Sequence, residues 1–412
     1  MGILSSLLVL LPILRQEDPL ERTARAVADL VAPDPRGFEP LFHETFLAQV
    51  PPARLAAILR DLHRQHGKVA AVSLQARESE TSGVFAFACE KGARLRVTLT
   101  LAAGDPPRII GLWFAPSGGA HRSMAEVVEE MRKLPGTVGF RLARLGEELE
   151  PLYDLNPDRP LAIGSTFKLY VLAALVEDRR PWDEIVRLRE DLRSLPSGEL
   201  HAWPEGAPLT VHTLAALMIA RSDNTAADHL LHHAGRRRIE DLLEPLGNAH
   251  APRSRPFLST LELFKLKSDA DLRGRYLEAG EAGRRALLEG PVRQMPRRKV
   301  AVSAVPIAVD RLEWFASAAD LCRLMDWFRR KGDPVALEIL GIHRGLDVPP
   351  NRFPRAGFKG GSEPGVLNLT WLLGTPAGAW YALSAGWNDP EKPLDERRFL
   401  DLVQSAIHLA GR

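Results

Sequence analysis

Cysteine is scarce in this chain of 412 residues, with only Cys89 and Cys322 present. A disulfide framework is therefore excluded, and two thiols in apolar contexts read as buried free cysteines. No Cys/His spacing fits zinc. His229, His232 and His233 share a helical stretch, with His229 and His233 on one face, and read as a solvated helix surface rather than a metal site. Neither a metal nor another cofactor is expected. An excess of one charge is also missing: 54 Lys and Arg stand against 52 Asp and Glu, a net +2. Nothing in that balance draws in nucleic acid or an anionic membrane surface. The short basic clusters Arg236-Arg237-Arg238, Arg297-Arg298-Lys299 and Arg329-Arg330-Lys331 read as solvated surface.

No apolar run is long enough to span a bilayer as a helix. Ile3 to Leu14 has the length of a signal-peptide core, bounded by Arg15-Gln16-Glu17-Asp18. No Lys or Arg precedes it, and no small-x-small cleavage site follows before Arg15. The run leans toward export, with residues 1–16 as a signal or anchor and membrane attachment through residues 3–14. Internal repeats and low-complexity tracts are absent.

What is present is an ordinary globular composition, 45% hydrophobic and 26% charged, in a chain long enough for two domains. Leu20 to Val31, Phe38 to Val50, and the row Leu55, Ile58, Leu59, Leu62 show helical spacing. From Lys68 the period changes to two. Val69 to Ala76, Val84 to Cys89, Arg94 to Leu101 and Arg108 to Phe114 read as strands. In the third, Leu95, Val97, Leu99 and Leu101 alternate with Arg94, Arg96, Thr98 and Thr100, giving one buried and one wet face. Helices followed by a curved antiparallel sheet resemble the cone-shaped fold of ketosteroid isomerase and nuclear transport factor 2. No paired acid and base is assembled in Lys68–Pro116, so a scaffold or binding domain over residues 20–133 is expected. Ser123-Met124-Ala125-Glu126 is a capping box for a helix to about Lys133, and Leu134-Pro135-Gly136 marks the boundary.

The second region, 137–412, is organised around Leu161–Val176. From Phe167 to Val176 the only charge is Lys168, so this helix is buried on all sides. Gly164-Ser165 reads as its start, with Lys168 one turn after Ser165 on the same face. The first N–H groups of a helix have no intrahelical partner and can face a developing negative charge. A lysine in an apolar helix is desolvated, which lowers its pKa and frees a neutral amine to accept a proton. Serine, amine and free N–H groups are the parts of an activated nucleophile.

Ser-x-x-Lys recurs by chance, but two further segments follow in order: Ser222-Asp223-Asn224 and Lys359-Gly360-Gly361-Ser362. Leu209 to Arg221 reads as a helix capped by Thr210 that delivers Ser222 at its end. Thr225 to Asp228 reads as the capping box of the next helix, with the Ser222 segment in the bend between them. Lys359 opens a run of strands, Val366 to Leu373 and Trp380 to Trp387. A closing helix runs from about Leu394 to Leu409. Ser-x-x-Lys, Ser-Asp-Asn and Lys-Thr/Ser-Gly form the motif set of class A β-lactamases and penicillin-binding proteins, which the region resembles.

That resemblance implies an α+β domain with a five-stranded antiparallel sheet and a helical subdomain. It implies Ser165 as the acylated nucleophile, Lys168 as proton acceptor and Ser222 as proton relay to the leaving group. It further implies Asn224 holding substrate amide or Lys168, and Lys359 attracting a substrate carboxylate and acidifying Ser222. The N–H groups of Ser165 and Ser362 would form an oxyanion hole, with Gly360 and Gly361 allowing close approach of substrate. The partner is then a small molecule: a β-lactam, an ester or a peptidoglycan-like ligand. Localisation is expected to be bacterial, periplasmic or extracellular.

Two departures stand out. Gly360 replaces the usual Thr or Ser after the strand lysine. The family's loop glutamate, which activates the deacylating water, has only a weak counterpart in Glu244-Pro245-Leu246-Gly247-Asn248, which lies too soon after Ser222 and looks like a helix stop. Slow deacylation is expected. The pairing with a cone-like first domain is similar to the β-lactamase-fold proteins of clavulanic acid biosynthesis clusters and a related mycobacterial lipoprotein group, implying acyl-transfer or weak esterase chemistry. A binding protein without turnover, and a carboxypeptidase acting on D-Ala-D-Ala stems, are the alternatives.

Overall fold

The computed structural model describes residues 18–77, 79–104, 106–117 and 123–411. The apolar run at residues 3–14 lies outside them. No helix among the described residues is long and apolar enough to cross a membrane.

Two compact units divide the chain, Met1–Ala120 and His121–Arg412. The break precedes the expected boundary at Leu134-Pro135-Gly136. The reason is packing: Met124, Val127, Val128 and Met131 of the helix opened by Ser123 share an apolar cluster with Phe399, Leu402 and Val403 of the C-terminal helix.

The first unit holds α1 (Pro19–Asp29), α2 (Glu44–Gln49), α3 (Pro52–His66) and β1 (Val69–Arg77), β2 (Ser82–Cys89), β3 (Arg94–Leu101), β4 (Ile109–Ser117). The strands form one antiparallel meander in the order β1-β2-β3-β4. In β3 the alternation reads out as expected: Leu95, Val97, Leu99 and Leu101 are buried with Leu55, Leu59 and Leu62 of α3. Each such side chain contributes about 1.5–3 kcal/mol on burial. The single helix expected over Phe38–Val50 is instead a 3₁₀ turn, Glu39–Leu41, followed by α2. His43 breaks it by capping α2, its Nδ1 accepting from the Thr45 N–H at 3.3 Å.

The second unit continues with α4 (Met124–Arg132), β5 (Thr137–Leu145), β6 (Leu149–Leu155), β7 (Leu161–Ala162) and α5 (Lys168–Glu177). Next come β8 (Ile185–Arg187), β9 (Pro208–Thr210), α6 (Val211–Ala220), α7 (Asn224–Ala234) and α8 (Arg236–Leu242). Then follow α9 (Thr260–Ser268), α10 (Ala270–Glu278), α11 (Glu281–Leu287), β10 (Phe315–Ala316), α12 (Ala318–Lys331) and α13 (Pro334–Gly341). The chain closes with β11 (Arg355–Glu363), β12 (Val366–Gly374), β13 (Trp380–Asn388) and α14 (Glu396–Leu409).

Five strands make one antiparallel sheet in the order β11-β12-β13-β5-β6. One face buries Phe140, Leu142, Trp371 and Trp387 with α4 and α14. The other buries Ala143, Leu372 and Ala382 with α5 and α12. Covered on both faces, β12 is buried at every position, which explains why it is apolar apart from Asn368 and Thr370. β11 is an edge strand, so one of its sides is free to line a cleft.

Candidate active site

The apolar composition of α5 buries it from Lys168 to Val176. Ser165 is half-buried just ahead of it, in a 3₁₀ turn over Gly164–Phe167 rather than in the α-helix itself. That turn is fastened from both directions. The Ile163 N–H donates to the Trp314 carbonyl at 3.0 Å, and β7 pairs with β10 through Ala162 and Phe315. The rings of Phe167 and Trp314 stack with centroids 3.8 Å apart. Gly164 has φ +49, a backbone region L-residues rarely occupy, which turns the chain so that Ser165 faces β11.

Helix α6 delivers Ser222 as expected, but its successor is capped differently. Asp223, not Thr225, accepts from the Ala226 N–H at 2.9 Å. Thr225 lies inside α7. Asp228 instead binds the start of α9, accepting from the Thr260 and Leu261 N–H groups at 2.7 and 3.0 Å. Ser222 has φ +52, a costly conformation for a residue with a Cβ. Its carbonyl is held there by Lys168 Nζ at 2.5 Å and Ser197 Oγ at 2.6 Å.

Three separate segments thus meet at one place. Lys168 Nζ lies 3.3 Å from Ser165 Oγ and 3.2 Å from Ser222 Oγ. It also donates to Asn224 Oδ1 at 2.7 Å, while Asn224 Nδ2 donates to the Leu195 carbonyl at 3.1 Å. Lys359 Nζ lies 3.0 Å from Ser222 Oγ and 2.5 Å from the Gly360 carbonyl. Burial, and then the nearby charge of Lys359, push Lys168 well below the usual ammonium range, against the pull of Asp228 and Asp223. Burial brings Lys359 down to about 7. Among the described residues neither lysine has a carboxylate partner in hydrogen-bond contact, which is why desolvation wins.

At Gly361, β11 comes into close contact with the turn that carries Ser165. A Cβ there would stand 2.4 Å from the Ser165 N and 2.2 Å from the Ile163 carbonyl, so any side chain would push β11 off the turn. A Cβ on Gly164 would stand 3.2 Å from the Ser362 N. The backbone nitrogens of Ser165 and Ser362 are therefore neighbours, the arrangement an oxyanion hole needs. Ser362 is exposed at the cleft. Gly360 offers no hydroxyl, and a Cβ there would meet the Phe358 ring at 2.9 Å. The cleft encloses about 460 Å³ and is lined by Ser165, Ser222, Asn224, Lys359 and Ser362 among others.

Residues 121–286 match the model of the beta-lactamase enzyme family. This segment carries Ser165, Lys168, Ser222 and Asn224, but ends before Lys359. No curated protein matches the chain. Among solved structures, a PBP-A variant held as an acyl-enzyme with penicillin G is 17% identical, with TM-score 0.48, over 69% of this chain and 94% of that one. A β-lactamase from Sphaerobacter thermophilus is 22% identical, with TM-score 0.47, over 70% of this chain and 97% of that one. A β-lactamase from Francisella tularensis is 14% identical, with TM-score 0.47, over 69% and 97%.

The Glu244 carboxylate is largely exposed, lies 3.7 Å from Arg255 and is not among the residues that line the cleft. The expectation of a solvated face for His229 is overturned. His229 is buried, its Nε2 accepting from the Arg189 N–H at 2.9 Å and its Nδ1 lying 2.7 Å from the Thr225 carbonyl. Cys89 and Cys322 are buried free thiols. The motifs missed two cleft residues, Glu313 and Glu363. The signal available was a glutamate directly after Lys359-Gly360-Gly361-Ser362, on the strand that edges the cleft.

Proposed function

We propose that this chain is a serine acyl-hydrolase of β-lactamase type, acylated at Ser165 by β-lactam-like or ester substrates and slow to release the acyl group at neutral pH. The observation that carries the reading is the position of Ser222 Oγ between two buried amines, 3.2 Å from Lys168 Nζ and 3.0 Å from Lys359 Nζ. A protein that merely holds a ligand has no use for two desolvated lysines sharing a hydroxyl.

In this reading neutral Lys168 accepts the Ser165 proton as Oγ attacks the carbonyl carbon. The developing oxyanion is met by the Ser165 and Ser362 N–H groups. The proton passes through Ser222 to the leaving nitrogen or oxygen, which departs as the C–N or C–O bond breaks. Asn224 fixes the Lys168 amine, and protonated Lys359 receives a substrate carboxylate. The first unit, helices followed by a four-stranded antiparallel meander, supports a cone-like scaffold or binding domain.

Intact-mass measurement after mixing with a panel of β-lactams and activated esters tests the reading. An adduct in the wild type that is absent in Ser165→Ala is expected. Turnover or labelling that persists in Ser165→Ala overturns it.

A further inference from the structure

Hydrolysis of an ester on Ser165 requires a base for water, and Glu244 is elsewhere. Along β11, Lys359, Gly361 and Glu363 point to the same face, because strand side chains alternate. The Gly361 position faces the Ser165 N. Lys359 and Glu363 therefore flank the nucleophile from opposite ends of that face, with Ser222 on the Lys359 side. Glu313 precedes Trp314, whose carbonyl is bonded to Ile163 just ahead of Gly164-Ser165. Both residues border the cleft.

Lys267 of α9 binds the two glutamates together, its Nζ donating to Glu313 Oε1 and to Glu363 Oε1. The side chain of Glu313 is wholly enclosed, while Glu363 retains 16% exposure and is the member that water can reach. Among the described residues, Glu313 Oε2 is buried with no hydrogen-bond partner. One ammonium cannot balance two carboxylates, so a proton on the pair relieves the cost of burying the second charge.

Resting on the acylation of Ser165 proposed above, we propose that Glu363, backed by Glu313 and clamped by Lys267, is the general base for deacylation. Water adds its oxygen to the ester carbonyl carbon as Glu363 takes one of its protons. The tetrahedral intermediate then collapses, the acyl–Oγ bond breaks, and Oγ regains a proton by way of Lys168, 3.3 Å away. Glu363 gives up the proton it took. The net change is one water added across the ester, giving a free acid and the Ser165 hydroxyl, with no electrons exchanged.

Glu313 makes this base dependent on pH. Burial and the adjacent Glu313 raise Glu363 to about 9, against the opposing charge of Lys267. Burial acts to lower Lys267, but Glu313 and Glu363 outweigh it and hold it above the ordinary value. The charged groups that bear on Glu363 are Glu313 and Lys267, while Lys359 lies four residues back along the same strand. At neutral pH the base is protonated and the acyl-enzyme lingers.

The test follows decay of a preformed β-lactam adduct by intact mass from pH 6 to 10. In the wild type the decay rate rises about tenfold per pH unit and levels off near pH 9. Glu363→Gln should acylate normally but lose that limb, decaying roughly 10²–10⁴-fold more slowly at pH 9. Glu313→Gln leaves Glu363 with Lys267 alone, so the limb moves to lower pH and decay at pH 7 speeds up. Normal decay in Glu363→Gln, or an unmoved profile in Glu313→Gln, would overturn the assignment while leaving Ser165 in place. No adduct in the wild type removes both readings together.

Discussion

Lys359 Nζ reaches Ser222 Oγ at 3.0 Å although the two belong to an edge strand and an inter-helix bend. Through that one hydroxyl the strand lysine is linked to Lys168 on the far side. The two amines cannot both be charged there cheaply, and burial holds both below the ordinary lysine range.

In the proposed reading, Lys359 couples carboxylate recognition to pH. With its value near 7 it is an ammonium below that pH and an amine above it. KM for a carboxylate-bearing substrate should climb as pH rises through about 7, while KM for a neutral ester stays flat. Lys359→Ala should remove the difference, weakening carboxylate capture roughly ten- to a hundredfold, as fits a charge-assisted contact of about 1.5–3 kcal/mol. Steady-state kinetics with both substrates checks this, and parallel losses for the two would exclude Lys359 as the carboxylate receptor.

The same lysine should cost stability. Between about 7 and 10.5 the unfolded chain carries its proton and the folded one does not. Folding stability from this group thus rises with pH across that window by about 1.4 kcal/mol per unit. Glu363 works in the opposite sense between 4.5 and about 9, because the fold retains a proton that the unfolded chain releases. Comparing wild type with Lys359→Met cancels the Glu363 contribution. The variant should have the higher Tm at pH 7, with the gap closing toward pH 10; a constant gap would refute a buried neutral lysine.

Asp228 is expected to hold the helix that carries Lys267. It accepts from two buried N–H groups and from Thr260 Oγ1 at 2.8 Å. Asp228→Ala strands both N–H groups at about 1–3 kcal/mol each, so the urea midpoint should fall sharply. Burial also raises Asp228 to about 6. A midpoint unchanged within error would show that α9 is anchored by its apolar face alone.

Glu244→Gln should leave adduct formation and adduct decay as they are in the wild type. Its carboxylate is in the neighbourhood of Arg255 and largely in solvent. A marked slowing of decay in this variant would return Glu244 to the chemistry.

The sequence by itself determined the local parts. The apolar residues on every side of Lys168 from Phe167 to Val176 forced it into the interior, where no water could keep it charged. Alternation in β3 and the mainly apolar β12 reflected one-sided and two-sided burial. Those patterns are set by neighbours along the chain, so they are legible without a fold. What only the tertiary structure decided came from residues distant in sequence. Asp223 displaced Thr225 as the cap of α7, and Asp228 was recruited by a helix beginning at Thr260. The helix of Ser123 joined the second unit because α14 offered it an apolar face. Lys267, Glu313 and Glu363 form a buried charged cluster that no spacing announces, since its members come from a helix, a loop and a strand. A motif records one surface of the cleft, whereas the balance of charge behind it depends on which buried groups the fold brings together.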